Sequence, residues 1–320
     1  MKTKKAVALT VLLTLAFFIM IIFIFFSATT FLGRTEPVSQ ENIAVVDIHG
    51  PIISGGGIDF MGTRQASAEN IISLIREVKK DDHYQALVLN IDTPGGSAAA
   101  SQAVFKELMR FREKTEKPVV ASLADTAASG GYYIAAASDY IISNPATLTG
   151  SIGVIMELGN FQELFDMLGI EFEVLKGGEY KDIGHPGRSM TDEERLLLQN
   201  IIDEIYDHFI DAVVEGREME REEVLQLATG ELFTGSQALE MNLIDGLGNY
   251  TDALKRAEKM AGLKDPQVIN ISRVSYSFFD IIFNLRTEEG IISKLDYLIP
   301  IIHRIDPFNN IRIKYQAGLE

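Results

Sequence analysis

The chain opens on a stretch almost without polar positions. Ala6 to Phe26 holds only Thr10 and Thr14 as polar side chains, behind Lys2, Lys4 and Lys5. About 20 apolar residues are enough to cross a hydrocarbon core as a helix. The pattern therefore predicts a single membrane span, with its lysines on the cytoplasmic side and the rest of the chain outside the cell membrane. A cleaved signal peptide is the alternative reading. Its apolar run would be shorter, and Ser27-Ala28-Thr29 makes a poor cleavage site. A polar linker with Pro37 follows.

Beyond the linker the pattern changes period. Ile43–Ile48, Ala86–Ile91, Val119–Leu123 and Tyr140–Ser143 are short apolar runs without alternation, the mark of strands covered on both faces. Between them apolar positions recur at helical spacing. Ile71, Leu74, Ile75 and Val78 follow a capping Ser67, and Val104, Leu108 and Phe111 form a second stripe. Strand, loop and helix in this rhythm predict an α/β domain built on a largely parallel sheet, with ligands beyond the carboxyl ends of the strands. Phe161–Leu168 reads as helical and Phe172–Leu175 as extended. Thr191-Asp-Glu-Glu194 is a capping box opening a helix whose inner face would be Leu197, Ile201, Ile205 and Ala212. Short helices are expected at 222–227 and 251–261, and a strand at 268–271. From 278 to 304 apolar and charged residues mix, as in a packing helix, a membrane-surface helix or a subunit contact. The organisation expected is an anchor at 1–32, a linker at 33–42, a catalytic domain at 43–264 and an extension at 265–320.

Composition narrows the chemistry. Cysteine is absent, which excludes disulfides, a thiolate nucleophile and thiolate metal ligands. With 29 basic against 45 acidic side chains the chain carries a formal charge of −16, and more once the anchor lysines are set aside. Nucleic acid is not an expected partner for such a surface.

Two Gly-rich turns sit between a strand and a helix: Asp92-Thr-Pro-Gly95-Gly96 and Ala128-Ser129-Gly130-Gly131. Side by side in a parallel sheet, such turns can aim two backbone N–H groups at one carbonyl oxygen, next to the Ser129 hydroxyl. Neither carries the lysine or the spacing of a nucleotide-binding loop. A serine nucleophile needs a base. His49, at the end of a strand, and His185, in a loop, are candidates, while His83, His208 and His303 are poorer ones. A lysine freed of its proton by burial would also serve, though spacing alone singles out none.

Five segments carry a resemblance: Asp92–Gly96, Ala128–Tyr133, Thr149-Gly-Ser-Ile-Gly-Val154, Gly178-Glu-Tyr-Lys-Asp182, and Phe233–Ala238 with Leu243-Ile-Asp245. In this order and at these intervals they resemble the signal peptide peptidase A family, membrane-anchored serine proteases of the Clp protease and crotonase fold. The resemblance covers about Ile43 to Ala261 and implies repeated ββα and βα units after a single N-terminal transmembrane helix. It also implies a Ser-Lys dyad: Ser129 as nucleophile, Lys181 as general base, the Ser151 hydroxyl orienting the lysine, and the N–H groups of Gly96 and Gly130 as the oxyanion hole. No cofactor or metal is implied. Longer family members carry two copies of the domain, and this chain carries one. The resemblance therefore implies a homo-oligomeric ring or dome in which Ser129 of one subunit meets Lys181 of the next. The substrates implied are signal peptides and other apolar peptides left in the membrane. Two rival readings are a crotonase-like acyl-thioester enzyme and an inactive membrane scaffold with the same fold.

Overall fold

The computed structural model describes residues 41–55 and 65–272, together with Met20. The chain divides into two units, 1–272 and 273–320, and every described element belongs to the first. The expected membrane anchor and most of the C-terminal extension lie outside the described residues. Among those described, no helix is long and apolar enough to cross a membrane.

The centre is a mixed α/β structure on one main sheet. Its strands include β1 (Asn42–His49), β4 (Tyr84–Thr93), β5 (Val119–Ala128), β6 (Tyr140–Ser143), β9 (Gly246–Leu247) and β10 (Gln267–Asn270). They lie in the order β10-β1-β4-β5-β6-β9, every pair along that path parallel. A short parallel pair, β2 (Ile52–Ile53) and β3 (Ala66–Ser67), lies beside it. The apolar runs lack alternation because both faces are covered. Ala44, Val46 and Ile48 of β1, with Leu87, Leu89 and Ile91 of β4, face the larger core. Ile43, Val45, Ala86, Val88 and Val120 face a smaller one closed by α8 (Tyr250–Met260).

The larger core is roofed by α1 (Ala68–Lys80), α2 (Ala98–Lys114), the short α3 (Gly130–Ala135) and part of α5 (Asp192–Arg217). Helix α1 begins where the Ser67 hydroxyl accepts the Asn70 N–H, and it buries Ile71, Ile75 and Val78. At its other end Lys117 Nζ donates to the carbonyls of Val78 and Asp81, each at 2.8 Å, satisfying acceptors that a helix end leaves open. In α2 the fully buried Val104, Leu108 and Phe111 form the predicted stripe, and truncating Phe111 to alanine would cost about 3–5 kcal/mol.

One irregularity of the sheet positions the site. The first half of β5 pairs with β6, through Val120–Leu123. Its last residues, Thr126–Ala128, pair instead with β7 (Leu148–Gly150). Thr147 Oγ1 donates to the Ala124 carbonyl at 2.6 Å and Thr149 Oγ1 to that of Ala127 at 2.7 Å, fastening the second half. On its far side β7 pairs antiparallel with β8 (Leu232–Thr234). Strand β5 is thus longer than its apolar run, ending at the residue before Ser129.

Helix α5 departs from its expected inner face. Thr191 and Glu194 do form the capping box, and Ala212 is buried. Leu197 and Ile201, however, are exposed and Ile205 is only half-buried; apart from the capping Glu194, full burial begins at Phe209 and Ile210. The first half of α5 projects beyond the core, so the apolar stripe there has nothing among the described residues to cover it. The helix expected at 161–168 is α4 (Gln162–Leu168), whereas Phe172–Leu175 pairs with no described strand. The remaining elements are α6 (Arg221–Leu227) and α7 (Gly235–Glu240).

Candidate active site

Ser129 stands at the junction of β5 and α3 with φ 50° and ψ −119°, a backbone region that side chains rarely adopt. The strain is held by neighbours. The Ser129 N–H donates to the Gly150 carbonyl at 2.8 Å, and the Ser129 carbonyl accepts from the Tyr133 N–H at 2.9 Å. Together these bonds turn the hydroxyl off the sheet edge, the arrangement of a nucleophile on a sharp strand-to-helix turn.

The turn after β4 is set from outside. The Ile52 N–H donates to the Gly95 carbonyl and the Ser97 N–H to the Ile52 carbonyl, both at 2.9 Å. This brings β2 so close that a Cβ on Gly96 would overlap the Ile52 backbone. Within the turn, Thr93 Oγ1 accepts the Gly95 N–H at 3.0 Å, and Asp92 Oδ1 accepts the Thr126 N–H of β5 at 3.2 Å. The two Gly-rich turns are consequently adjacent: a Cβ on Gly130 would lie 3.4 Å from the Gly96 nitrogen and overlap Ser101 Oγ. The N–H groups of Gly96 and Gly130 have no acceptor among the described residues. Two unused donors beside a hydroxyl suit an oxygen that gains negative charge during reaction.

These groups open onto a cavity of about 860 Å³. Gly96, Ser129, Gly130 and Ser151 line one side, and Val154, Ile202, Tyr206 and Phe209 are among the apolar walls. Tyr133 also faces it, edge-on to Phe105 with ring centres 5.3 Å apart. Its hydroxyl donates to the His208 carbonyl at 3.1 Å, and burial pushes that phenol up to about 12. Beside the polar Ser129 corner, the apolar part of the wall would suit an apolar peptide side chain.

The sequence-derived residues divide cleanly. Ser129, Ser151, Gly96 and Gly130 come together. Lys181 does not line the cavity; it is exposed on a loop after α4, and its amine makes no hydrogen bond or ion pair among the described residues. Neither does any described histidine line it. His49 sits between Asp47 and Asp92, 3.6 and 3.8 Å from their carboxylates. His185 Nδ1 accepts the Gly187 N–H at 3.0 Å, and its ring packs on Phe172.

Sequence reasoning passed over the cavity walls: it gave Tyr206 and Phe209 no part, and Tyr133 entered only as the end of a motif. It also left Asp245 without a role. Asp245 accepts from Arg217 Nη1 and Nη2 at 3.0 and 2.8 Å and from the Ile141 N–H at 2.7 Å, a clamp between α5 and β6 away from the cavity.

A hydroxyl on a strained turn, two open N–H donors and an apolar cleft define an enzyme that attacks a carbonyl, and the relatives of this chain give the class as peptidase. A profile of peptidase family S49 matches residues 111–264. A Synechocystis sp. protein provisionally named a protease is 38% identical over 236 residues, which span 74% of this chain and 80% of that one. An Enterococcus faecium protein provisionally named a signal peptide peptidase is 32% identical, over 76% of this chain and 70% of its own length. The chloroplastic serine protease SPPA of Arabidopsis thaliana is 33% identical over 83% of this chain, which spans 41% of that longer protein. The chain belongs to peptidase family S49, the signal peptide peptidase A family.

Proposed function

We propose that this protein is a membrane-anchored serine endopeptidase of the Clp protease and crotonase fold. It works as a homo-oligomer, facing away from the cytoplasm and degrading signal peptides. The reading rests on one observation above all: Ser129 lies beside two unengaged N–H donors in a cavity that, among the described residues, is lined by no histidine or lysine.

In the reaction the free amine of Lys181, from a neighbouring subunit, takes the proton of Ser129 while Oγ bonds to the peptide carbonyl carbon. Negative charge moves to the carbonyl oxygen, where the Gly96 and Gly130 N–H groups receive it. Collapse breaks the C–N bond, and the lysine's proton leaves on the new amine. A water then gives a proton to the same lysine and attacks the acyl carbon; the bond to Oγ breaks, the lysine returns that proton to Ser129, and the acid leaves. Ser151, next to Ser129 across the β5–β7 ladder, would hold the lysine by its hydroxyl.

A neighbour is called for on a second ground. Ile155, Met167, Leu168, Leu175, Leu196 and Ile201 are all exposed, between Ser151 and the middle of α5. Apolar exposure on this scale is uncommon on a free monomer and marks a contact surface. Against apolar walls an ammonium ion is costly, which favours the lysine as free amine once it is seated.

The decisive experiment mixes two inactive variants. Ser129→Ala and Lys181→Ala subunits, each without activity on a synthetic signal peptide, should regain part of the wild-type rate after co-assembly. Absence of any recovery, in mixtures shown to contain both variants, would refute sites shared between subunits. Activity in Lys181→Ala alone would refute the dyad.

A further inference from the structure

Lys181 is the middle residue of a triplet whose outer two are tied down. On one side, the Tyr180 hydroxyl donates to Glu193 Oε1 at 2.6 Å. On the other, the Asp182 carboxylate accepts Lys176 Nζ on Oδ1 at 2.5 Å and Arg188 Nε on Oδ2 at 2.9 Å. Arg188 then spends its other nitrogens on Glu194, reaching Oε1 at 2.5 Å and Oε2 at 2.8 Å. Glu194 is itself anchored, since Oε2 also accepts the Thr191 N–H that opens α5. Both neighbours of the lysine are therefore fastened to the first turn of α5, Tyr180 directly and Asp182 through Arg188. The side chain between them is left exposed and unengaged among the described residues.

That freedom needs explaining. Lys181 has Glu179 and Asp182 beside it in the chain and the acidic first turn of α5 close by, in a protein of net charge −16. A lysine so placed would ordinarily settle onto the nearest carboxylate. Asp182 is closed to it because both of its oxygens are taken by other cations, and Glu194 because Arg188 covers it bidentately, the geometry a guanidinium favours. The same contacts hold both acids well below the usual carboxylate range, so they stay occupied at any pH at which the enzyme would work.

We propose that Arg188, with Lys176, is a positioning residue for Lys181: by saturating Asp182 it fixes the lysine loop on α5 and keeps that carboxylate from pairing with the Lys181 amine. The inference rests on Lys181 being the base. Its consequence is chemical as well as geometric. An ammonium bound to Asp182 would be harder to deprotonate and would be tied to its own loop.

The test is a pH–rate profile of the full-length protein on a synthetic signal peptide, for wild type, Arg188→Gln, Lys176→Met and Arg188→Gln/Asp182→Asn. In Arg188→Gln the limb that reports deprotonation of the base should move to higher pH by about one unit, the scale on which a newly exposed opposite charge acts. At neutral pH, kcat should fall about tenfold in consequence, with KM within about twofold. Removing the freed carboxylate in the double variant should return the limb to its wild-type position, a rescue that a merely structural lesion would not show. Lys176 is an exposed loop residue, so Lys176→Met provides the same test, with a smaller shift, if Arg188→Gln fails to fold. A limb that stays put in the folded variants overturns the proposal while leaving the dyad intact, provided Lys181→Ala is inactive. Activity in Lys181→Ala removes the dyad and this proposal together.

Discussion

Ser129 and Ser151 stand at matching ends of adjoining parallel strands: Ala128 pairs with Gly150, and each serine follows with a positive φ, 50° for the first and 49° for the second. The ladder that ends at these two residues fixes one hydroxyl against the other without any side-chain bond between them. A residue that tolerates positive φ would suit both positions better on backbone grounds alone, which fits the roles proposed for the two hydroxyls.

Stability and activity should therefore separate at this position. Ser151→Gly should leave the urea midpoint within the equivalent of about 1 kcal/mol of wild type, because relief of a left-handed serine offsets the entropy cost of glycine. Hydrolysis by the same variant should fall sharply. Equal losses of stability and activity would show that the side chain is only structural.

Gly96 allows an equally direct check. A methyl group there meets the Ile52 backbone, so Gly96→Ala must displace the turn that carries the N–H donor. Loss of one such donor costs roughly 10²–10³ in kcat, with substrate binding much less affected. Steady-state kinetics on a short chromogenic peptide would measure the split. A variant that loses KM and keeps kcat would remove Gly96 from the oxyanion role.

The Arg217–Asp245 clamp makes the opposite prediction. The Arg217 side chain is only 8% exposed and holds Asp245 by both terminal nitrogens. Asp245→Asn should lower stability by about 3 kcal/mol, the low end of what breaking a buried pair costs, since Asp245 itself is partly exposed. Activity per folded molecule should be unchanged. Denaturant melts paired with active-site titration would separate the two.

Much of this architecture could be read from the chain. Continuous apolar runs marked β1, β4, β5 and β6 because each strand is buried on two faces, and Ser67 and Thr191 announced their helices through local hydrogen bonds. What escaped was non-local. The transfer of β5 from β6 to β7 depends on Thr147 and Thr149 reaching carbonyls more than twenty residues away, which no period in the sequence encodes. Leu197 and Ile201 have helical spacing, so pattern alone assigned them to the core; they are apolar on a surface that the described part of the chain does not bury. Lys181 could be found only by resemblance, because a free lysine on a loop has no signature until its neighbours are seen to be occupied.

The exposed stripe on α5 leads to a further expectation. Leu197→Glu with Ile201→Glu should leave the folded monomer intact, since neither side chain enters the core. Sedimentation should show a smaller particle than wild type, and peptide hydrolysis should vanish with the assembly. A double variant that keeps both wild-type size and activity would take this face out of the subunit contact.

Acid should weaken the contacts that hold the lysine loop on α5. Arg188 draws the Glu194 carboxyl down from 4.5 to about 2, and Arg188 with Lys176 draws Asp182 down as well. Groups lowered on folding add stability that is complete above their unfolded values and is lost as pH falls through their folded ones. Between pH 4.5 and 2 the wild-type urea midpoint should therefore drop more steeply than that of Arg188→Gln. Parallel slopes would mean that the contacts contribute nothing to folding.

Lys181 lies outside the cavity that contains Ser129, so on the dyad proposed above a solitary chain would be a proenzyme. The parts of the proposed pair would stay on different surfaces until copies meet, and that separation would itself do the work of an inhibitor. Turnover per molecule should then rise with protein density in the membrane and collapse on dilution. A newly exported copy would pass harmlessly among other nascent proteins until enough of its own kind had gathered around it.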